Sequence, residues 1–262
     1  MKRPVALAVS SLLLTTGCAS LKTPSGAFLQ PPLSVASPEL LPIRSVVIDA
    51  GHGGHDPGTT HHGLEEKDLA LDIARHLKTK LQTSGLSVTM TREADHFVTL
   101  SRRPDIANRM AADLFVSVHI NANRNQHVSG VEVYYPREST VDAEAAFPPG
   151  MKPSEVSLPT TTITRILWDL VLSKTRRHSA RMALHICRAM HSRLRVRCRW
   201  VRGARFVVLR EARMPAVLVE VGYLSNRPEA SRLASPPYRQ AVAQAIAEGI
   251  LAYIRGLGLQ HV

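Results

Sequence analysis

Aromatic residues make up only 5% of this sequence, and its 262 residues include three cysteines. Scarce aromatics argue against a binder of single-stranded nucleic acid, which needs rings on which bases can stack. No C-x-x-C pair occurs, so a cysteine-clustered metal site is excluded. The S-x-x-K motif of serine acyl enzymes and the H-E-x-x-H helix of common zinc proteases are also missing. Any metal ligands must therefore come from separate elements. Long apolar runs are lacking too: Val5–Leu14 is too short to span a bilayer, and nothing after it is apolar enough. Acidic residues are outnumbered, 21 against 33 Lys and Arg, giving a net charge of +12. The excess is local. Between Arg165 and Arg213 fourteen Lys or Arg stand against Asp169 and Glu211, which is 14 − 2 = +12. Such a belt suits an anionic polymer, or it is simply a solvated helix face.

The N-terminal residues point to export. A basic start, Met1-Lys2-Arg3, precedes the apolar Val5–Leu14 and then Thr15-Thr16-Gly17-Cys18-Ala19. This resembles a bacterial lipoprotein signal over residues 1–17, cut before Cys18 and lipidated there, with ordinary cleavage near Ala19 as the alternative. Residues 18–43, with Pro24, Pro31, Pro32, Pro38 and Pro42, read as a tether. That leaves Cys187 and Cys198, eleven positions apart. Spacing allows a pair but does not require one, and two partly buried thiols are the expectation.

From residue 44 to 257 strands and helices alternate. One α/β domain is expected, with a mixed, mostly parallel central sheet and helices on both faces. Strands are expected at Ser45–Asp49, Leu86–Thr91, Leu114–Ile120, Gly130–Tyr135, Phe206–Arg210 and Ala216–Val221. Helices are expected at Lys67–Thr83, Pro104–Ala112, Arg181–Leu194 and Tyr238–Ile254; the first carries Leu69, Ile73, Leu77 and Leu81 at helical spacing. Residues 137–172 break the rhythm and read as an insertion: a Pro-, Ser- and Thr-rich loop to Thr164, then a helical piece at Ile166–Leu172.

Twelve histidines make coincidence a serious competitor for any one of them. His76, His127, His178, His185 and His191 lie on polar helix faces or in loops. His52 differs, because it follows an apolar strand inside the turn Gly51-His52-Gly53-Gly54, where missing side chains allow close approach. His119 likewise ends the strand Leu114–Ile120, and strand ends in α/β sheets share a crevice. Glu66 and Glu65 both stand at a helix start, where either could serve a site or merely the helix N-terminus. Glu220 interrupts the apolar Ala216-Val217-Leu218-Val219. A carboxylate there is costly unless it meets a metal, a donor or a proton. Two His and one Glu form a usual catalytic zinc set, with a further carboxylate moving protons.

The order of short motifs is more specific than any one residue. Val47-Ile48-Asp49-Ala50-Gly51-His52-Gly53-Gly54-His55-Asp56-Pro57-Gly58 resembles the opening motif of the zinc-dependent N-acetylmuramoyl-L-alanine amidases, type-3 catalytic domain. Glu66-Lys67, Thr91-Arg92, Leu100 with Arg103, Ala107-Asn108, Ser117-Val118-His119, Val208-Leu209-Arg210 and Glu220-Val221-Gly222-Tyr223-Leu224-Ser225-Asn226 follow in that family's order. The resemblance implies one zinc held by His52, Glu66 and His119, with Glu66 chosen over Glu65 and His55 set aside. It implies Glu220 as the catalytic carboxylate and peptidoglycan as substrate, cut between N-acetylmuramic acid and L-alanine. Arg210 and Asn121 are the expected substrate contacts. The insertion falls where some relatives cover their zinc until an activator protein displaces the cover; the expected cover is Glu138, Glu144 or Glu155 plugging the metal, or the Ile166–Leu172 helix docking over the cleft. Nucleic acid is not an expected partner, and the membrane is one only through Cys18. The competing readings are a zinc peptidase acting elsewhere on the stem peptide and a catalytically silent wall-binding module.

Overall fold

The computed structural model describes residues 43–137 and 158–258, the stretch 158–172 and residue 258 by backbone only. Signal and tether, Cys18 among them, lie outside the described residues, as do Glu138, Glu144 and Glu155. Among the described residues no helix is long and apolar enough to cross a membrane.

In chain order the elements are β1 (Ser45–Ala50), β2 (Thr60–His61), β3 (Leu64–Glu65), α1 (Glu66–Thr83), β4 (Ser87–Met90), α2 (Arg102–Arg109) and β5 (Leu114–Asn121). There follow β6 (Val131–Pro136), α3 (Leu158–Leu194), β7 (Cys198–Ala204), α4 (Val207–Arg210), β8 (Ala216–Tyr223), α5 (Arg227–Ala234) and α6 (Pro236–Gly258). Six strands form one sheet in the order β4-β1-β5-β8-β6-β7. Every neighbouring pair is parallel except β6 with β8. The mixed, mostly parallel sheet is thus the one expected.

Strands covered on both faces read as continuous apolar runs, because each alternate side chain meets a different layer. One layer is α1, α3 and α6. Leu69, Ile73 and Leu77 of α1, Met182 and Ile186 of α3, and Ile246 and Ile250 of α6 cover Val46, Ile48, Val116, Val118, Val217 and Val219. The opposite layer is thinner. There Ala107 of α2 and Val208 and Leu209 of α4 pack on Val47, Phe115 and Leu218. This second face carries the polar residues described below.

Three local expectations are corrected and one strand is added. Phe206–Arg210 is not a strand: Val207–Arg210 is a single helical turn, entered from the extended Phe206. Packing decides this, since one turn brings Val208 and Leu209 together onto the thin layer. The 166–172 piece and the 181–194 helix are one helix, α3, which begins at Leu158 inside the segment read as loop. The charged segment Cys198–Ala204 is an edge strand. Finally, Cys187 and Cys198 are not separate thiols but a disulfide, because the chain reverses after α3 and brings their Cα atoms to 5.8 Å.

Candidate metal centre and active site

The polar face is assembled from strand ends. Just past β1 the chain turns through His52, whose φ is 58°, a left-handed conformation. Such strain costs roughly 1–3 kcal/mol in a residue other than glycine and persists only where the surroundings impose it. Two buried arginines impose it here. Arg92 donates from Nε to the Ala50 carbonyl (3.0 Å) and from Nη2 to the Gly51 carbonyl (2.7 Å). Arg103 donates from Nη1 to the Ala50 carbonyl (2.8 Å) and from Nη2 to the His52 carbonyl (2.9 Å). Three consecutive carbonyls are therefore held by guanidinium donors.

Asp49 balances this charge from the buried end of β1. It accepts from Arg103 (2.9 Å), the Thr91 hydroxyl (2.7 Å) and the Ser117 hydroxyl (2.7 Å). Burial alone would raise its pKa, but Arg103 and the hydroxyl donors outweigh burial and hold it below the usual carboxylate value.

The space left by glycine admits the ligand rings. A Cβ on Gly51 would lie 2.4 Å from Cε1 of His119, and one on Gly58 2.6 Å from both Glu66 Oε2 and His52 Cδ2. Within that space one donor atom each from His52, Glu66 and His119 lies within 4.8 Å of the others. Glu66 sits between the rings, with Oε2 3.1 Å from His52 Nε2 and Oε1 2.9 Å from His119 Nδ1. The backbone N–H groups of Thr59 and Ile120 donate to the same two oxygens, both at 2.9 Å. Burial opposes its ionisation, yet His119 and His52 win and lower its pKa far below normal. Glu65 points elsewhere and pairs with Lys67 at 3.5 Å.

His52 is also oriented from behind, where its Nδ1 lies 2.8 Å from Asp56 Oδ2. A carboxylate on the far nitrogen fixes the tautomer and turns Nε2 inward, the usual support of a metal-binding histidine. Two imidazole nitrogens and one carboxylate, converging and supported in this way, fit a single zinc-type ion with room for one more ligand. His55 does not join them; it is exposed and its ring lies 4.2 Å from that of Phe97.

Glu220 stands next to this cluster by register. On β8 it is paired with His119 of β5 on one side and with Glu132 of β6 on the other. Its Oε2 is buried and has no hydrogen-bond partner among the described residues. Burial first, then the negative charges of Glu66 and Glu132, raise its pKa well above the ordinary value. An uncompensated buried carboxylate is expensive, so it marks a site where a proton or a ligand is expected to arrive. Glu132, by contrast, is saturated. It accepts from the hydroxyls of Tyr134 and Tyr223 (2.6 Å for the latter), from Arg199 Nε at 3.3 Å and from Asn121 Nδ2 at 3.3 Å.

The four residues expected to form the centre thus come together. Asn121 lies beside them, two positions past His119 and bonded to Glu132. Arg210 is exposed on α4 and pairs with Glu211 at 3.4 Å. Sequence reasoning missed the roles of Asp56, Arg92, Arg103 and Glu132. The first three stand inside the quoted motifs, but only as letters without a partner.

Fold and site together define a class: an α/β protein with a preformed His–Glu–His cation site beside a proton-seeking carboxylate. Comparison with known proteins agrees. The family model described as N-acetylmuramoyl-L-alanine amidase matches residues 46–252, and the chain belongs to that family. It is 32% identical over 226 residues to N-acetylmuramoyl-L-alanine amidase AmiA of Escherichia coli, covering 80% of this chain and 76% of that protein. Among solved structures, N-acetylmuramoyl-L-alanine amidase AmiC2 of Nostoc punctiforme superposes with a TM-score of 0.63 at 35% identity, over 81% of this chain and 97% of the other. The catalytic domain of the amidase CwlV from Paenibacillus polymyxa gives 0.62 at 31% identity, over 81% and 98%.

Proposed function

We propose that this chain is a peptidoglycan hydrolase that cuts the amide between N-acetylmuramic acid and L-alanine, using one zinc ion held by His52, Glu66 and His119. The observation that carries this reading is Glu220, a buried carboxylate with an unpartnered oxygen beside three convergent ligand atoms. Zinc, when bound, supplies Lewis acidity, easing deprotonation of water and polarising the scissile carbonyl. The chain's own residues do the rest. Asp56 keeps Nε2 of His52 directed inward. Asp49, Arg92 and Arg103 keep the turn in its strained form, so the ligand geometry is in place before substrate arrives. Glu220 takes the proton of the attacking water on its free oxygen and delivers it to the departing amine of alanine. Its raised proton affinity, a product of burial and of Glu66 and Glu132, suits both halves of that transfer.

The same reading places the protein outside the cytoplasm, with a signal at residues 1–17, a lipid on Cys18 and a tether to residue 43. The Cys187–Cys198 disulfide supports an oxidising compartment. Asn121 and Arg210 remain proposed substrate contacts, and an activator protein acting on the 137–172 insertion remains a proposed partner. Mass spectrometry of digested peptidoglycan, with and without chelator, tests the reaction. Peptide-free glycan that appears only in the absence of chelator is the expected result. Shortened stem peptides would instead identify a peptidase, and no cleavage a silent binding module.

A further inference from the structure

Beyond Glu220 the register continues across two more strands. Glu220 of β8 is level with Glu132 of β6, and Glu132 with Trp200 of the edge strand β7. Tyr134 of β6 is level with Arg202 of the same edge strand. Trp200 is 49% exposed, a large apolar surface at the rim of a polar site. Two guanidinium groups flank its ring: Arg199 is 6.0 Å and Arg202 5.8 Å from the centroid. Their circumstances differ. Arg199 is partly buried and occupied by Glu132 at 3.3 Å. Arg202 is exposed, donates to the Tyr134 hydroxyl at 3.1 Å, lies 5.2 Å from that ring, and has no carboxylate partner among the described residues. It is a cation held in place by aromatic faces and a hydroxyl, close enough to feel the charge of Glu132 but in no ion pair among the described residues.

We propose that Arg202, on its Trp200–Tyr134 platform, is a subsite that binds a carboxylate of the stem peptide; this rests on the amidase reading of the centre. Charge and reach both favour the peptide over the glycan. The muramyl carboxyl is consumed in the scissile amide, so ionised carboxylates lie on the peptide side. Two strand spacings separate Glu220 from the β7 row, about 10 Å, and an extended peptide covers this in about three residues. The group that reaches Arg202 is thus an acidic residue shortly beyond the alanine. Planar guanidinium groups recognise carboxylates through paired hydrogen bonds, and the neighbouring Trp200 and Tyr134 rings, 5.8 and 5.2 Å away, restrain where that plane can lie. Part of the basic belt thereby acquires a specific task.

The test is equilibrium binding to the full chain carrying Glu220→Gln, which holds substrate without turning it over. The probes are two synthetic N-acetylmuramyl peptides, one with free carboxylates and one with all of them amidated. Adding Arg202→Gln is expected to weaken the free-acid probe by about tenfold and to leave the amidated probe unchanged, with Arg202→Lys recovering only part of the loss. Fluorescence of Trp200 is expected to respond to the free-acid probe, and Trp200→Ala to weaken it in the same direction. Equal weakening of both probes, or of neither, overturns the subsite. Failure of the amidase reading shows separately, as wild-type enzyme that releases no peptide-free glycan.

Discussion

The two ends of the sheet hold their polar residues in opposite ways. At the β1–β5 end, Asp49, Arg92 and Arg103 are almost wholly buried, and the two arginines donate to the carbonyls of Ala50, Gly51 and His52 and also to those of Lys67 and Val98. At the β6–β7 end, Arg199, Trp200 and Arg202 sit on an edge strand, held by aromatic rings, by Glu132 and by the disulfide from Cys198 to α3. The first arrangement is costly to disturb and sets geometry. The second is open to solvent and leaves charge available to a ligand. On the proposed reading, ligand placement and substrate contact are divided between two kinds of electrostatics, with Glu220 on the strand between them.

Breaking the buried end has the largest expected effect. Arg103→Met leaves Asp49 without its buried countercharge and takes the Arg103 donor from the Val98 and His52 carbonyls, Ala50 keeping Arg92, so a loss of about 3–5 kcal/mol in urea unfolding is expected, with weaker metal binding. The pH dependence follows from Asp49. Its folded pKa is depressed, so its contribution is complete above the unfolded value of about 3.9 and fades as pH falls through the folded one. The stability gap between wild type and Asp49→Asn is therefore expected to narrow below about pH 4. A gap that widened there would contradict the assignment.

Loosening the edge has a smaller effect. Cys198→Ser opens a loop of about a dozen residues and is expected to cost about 2–3 kcal/mol, read from thermal melts, while metal content stays unchanged. Loss of bound metal in that variant would mean the two ends are not separate. The smallest effect is expected from Arg210→Gln. Its exposed pairing with Glu211 contributes little to stability, so the melting temperature should be unchanged, while loss of the proposed substrate contact should raise KM about threefold.

How much of this was legible in the sequence divides along the same line. The ligand residues stand at strand ends or a helix start within recognisable motifs, so His52, Glu66, His119 and Glu220 could be named in advance. The helix α1 was legible because its apolar face repeats at helical spacing over eighteen residues. The edge was not. In β7 the register skips Arg199, since Val131 of β6 is level with Cys198 and Glu132 with Trp200, which disturbs the alternation, and its arginines read as part of a charge belt. Phe206–Arg210 is a short apolar run, which periodicity alone cannot divide between strand and helix. The disulfide depends on where the chain turns after Leu194, a tertiary fact that no spacing encodes. In α5, however, Asn226 at the N-cap with Pro228 behind it was an overlooked local signal: the Asn226 side chain accepts from the Glu229 N–H at 3.1 Å.

The central claim is that Glu220 moves protons beside a metal it does not hold. The most direct measurement compares zinc content and turnover of Glu220→Gln with those of the wild type on peptidoglycan. One zinc per chain, an unchanged or slightly higher melting temperature, and a fall in kcat of about 10²–10⁴-fold are predicted. Near-normal turnover, or zinc lost together with activity, would contradict the account.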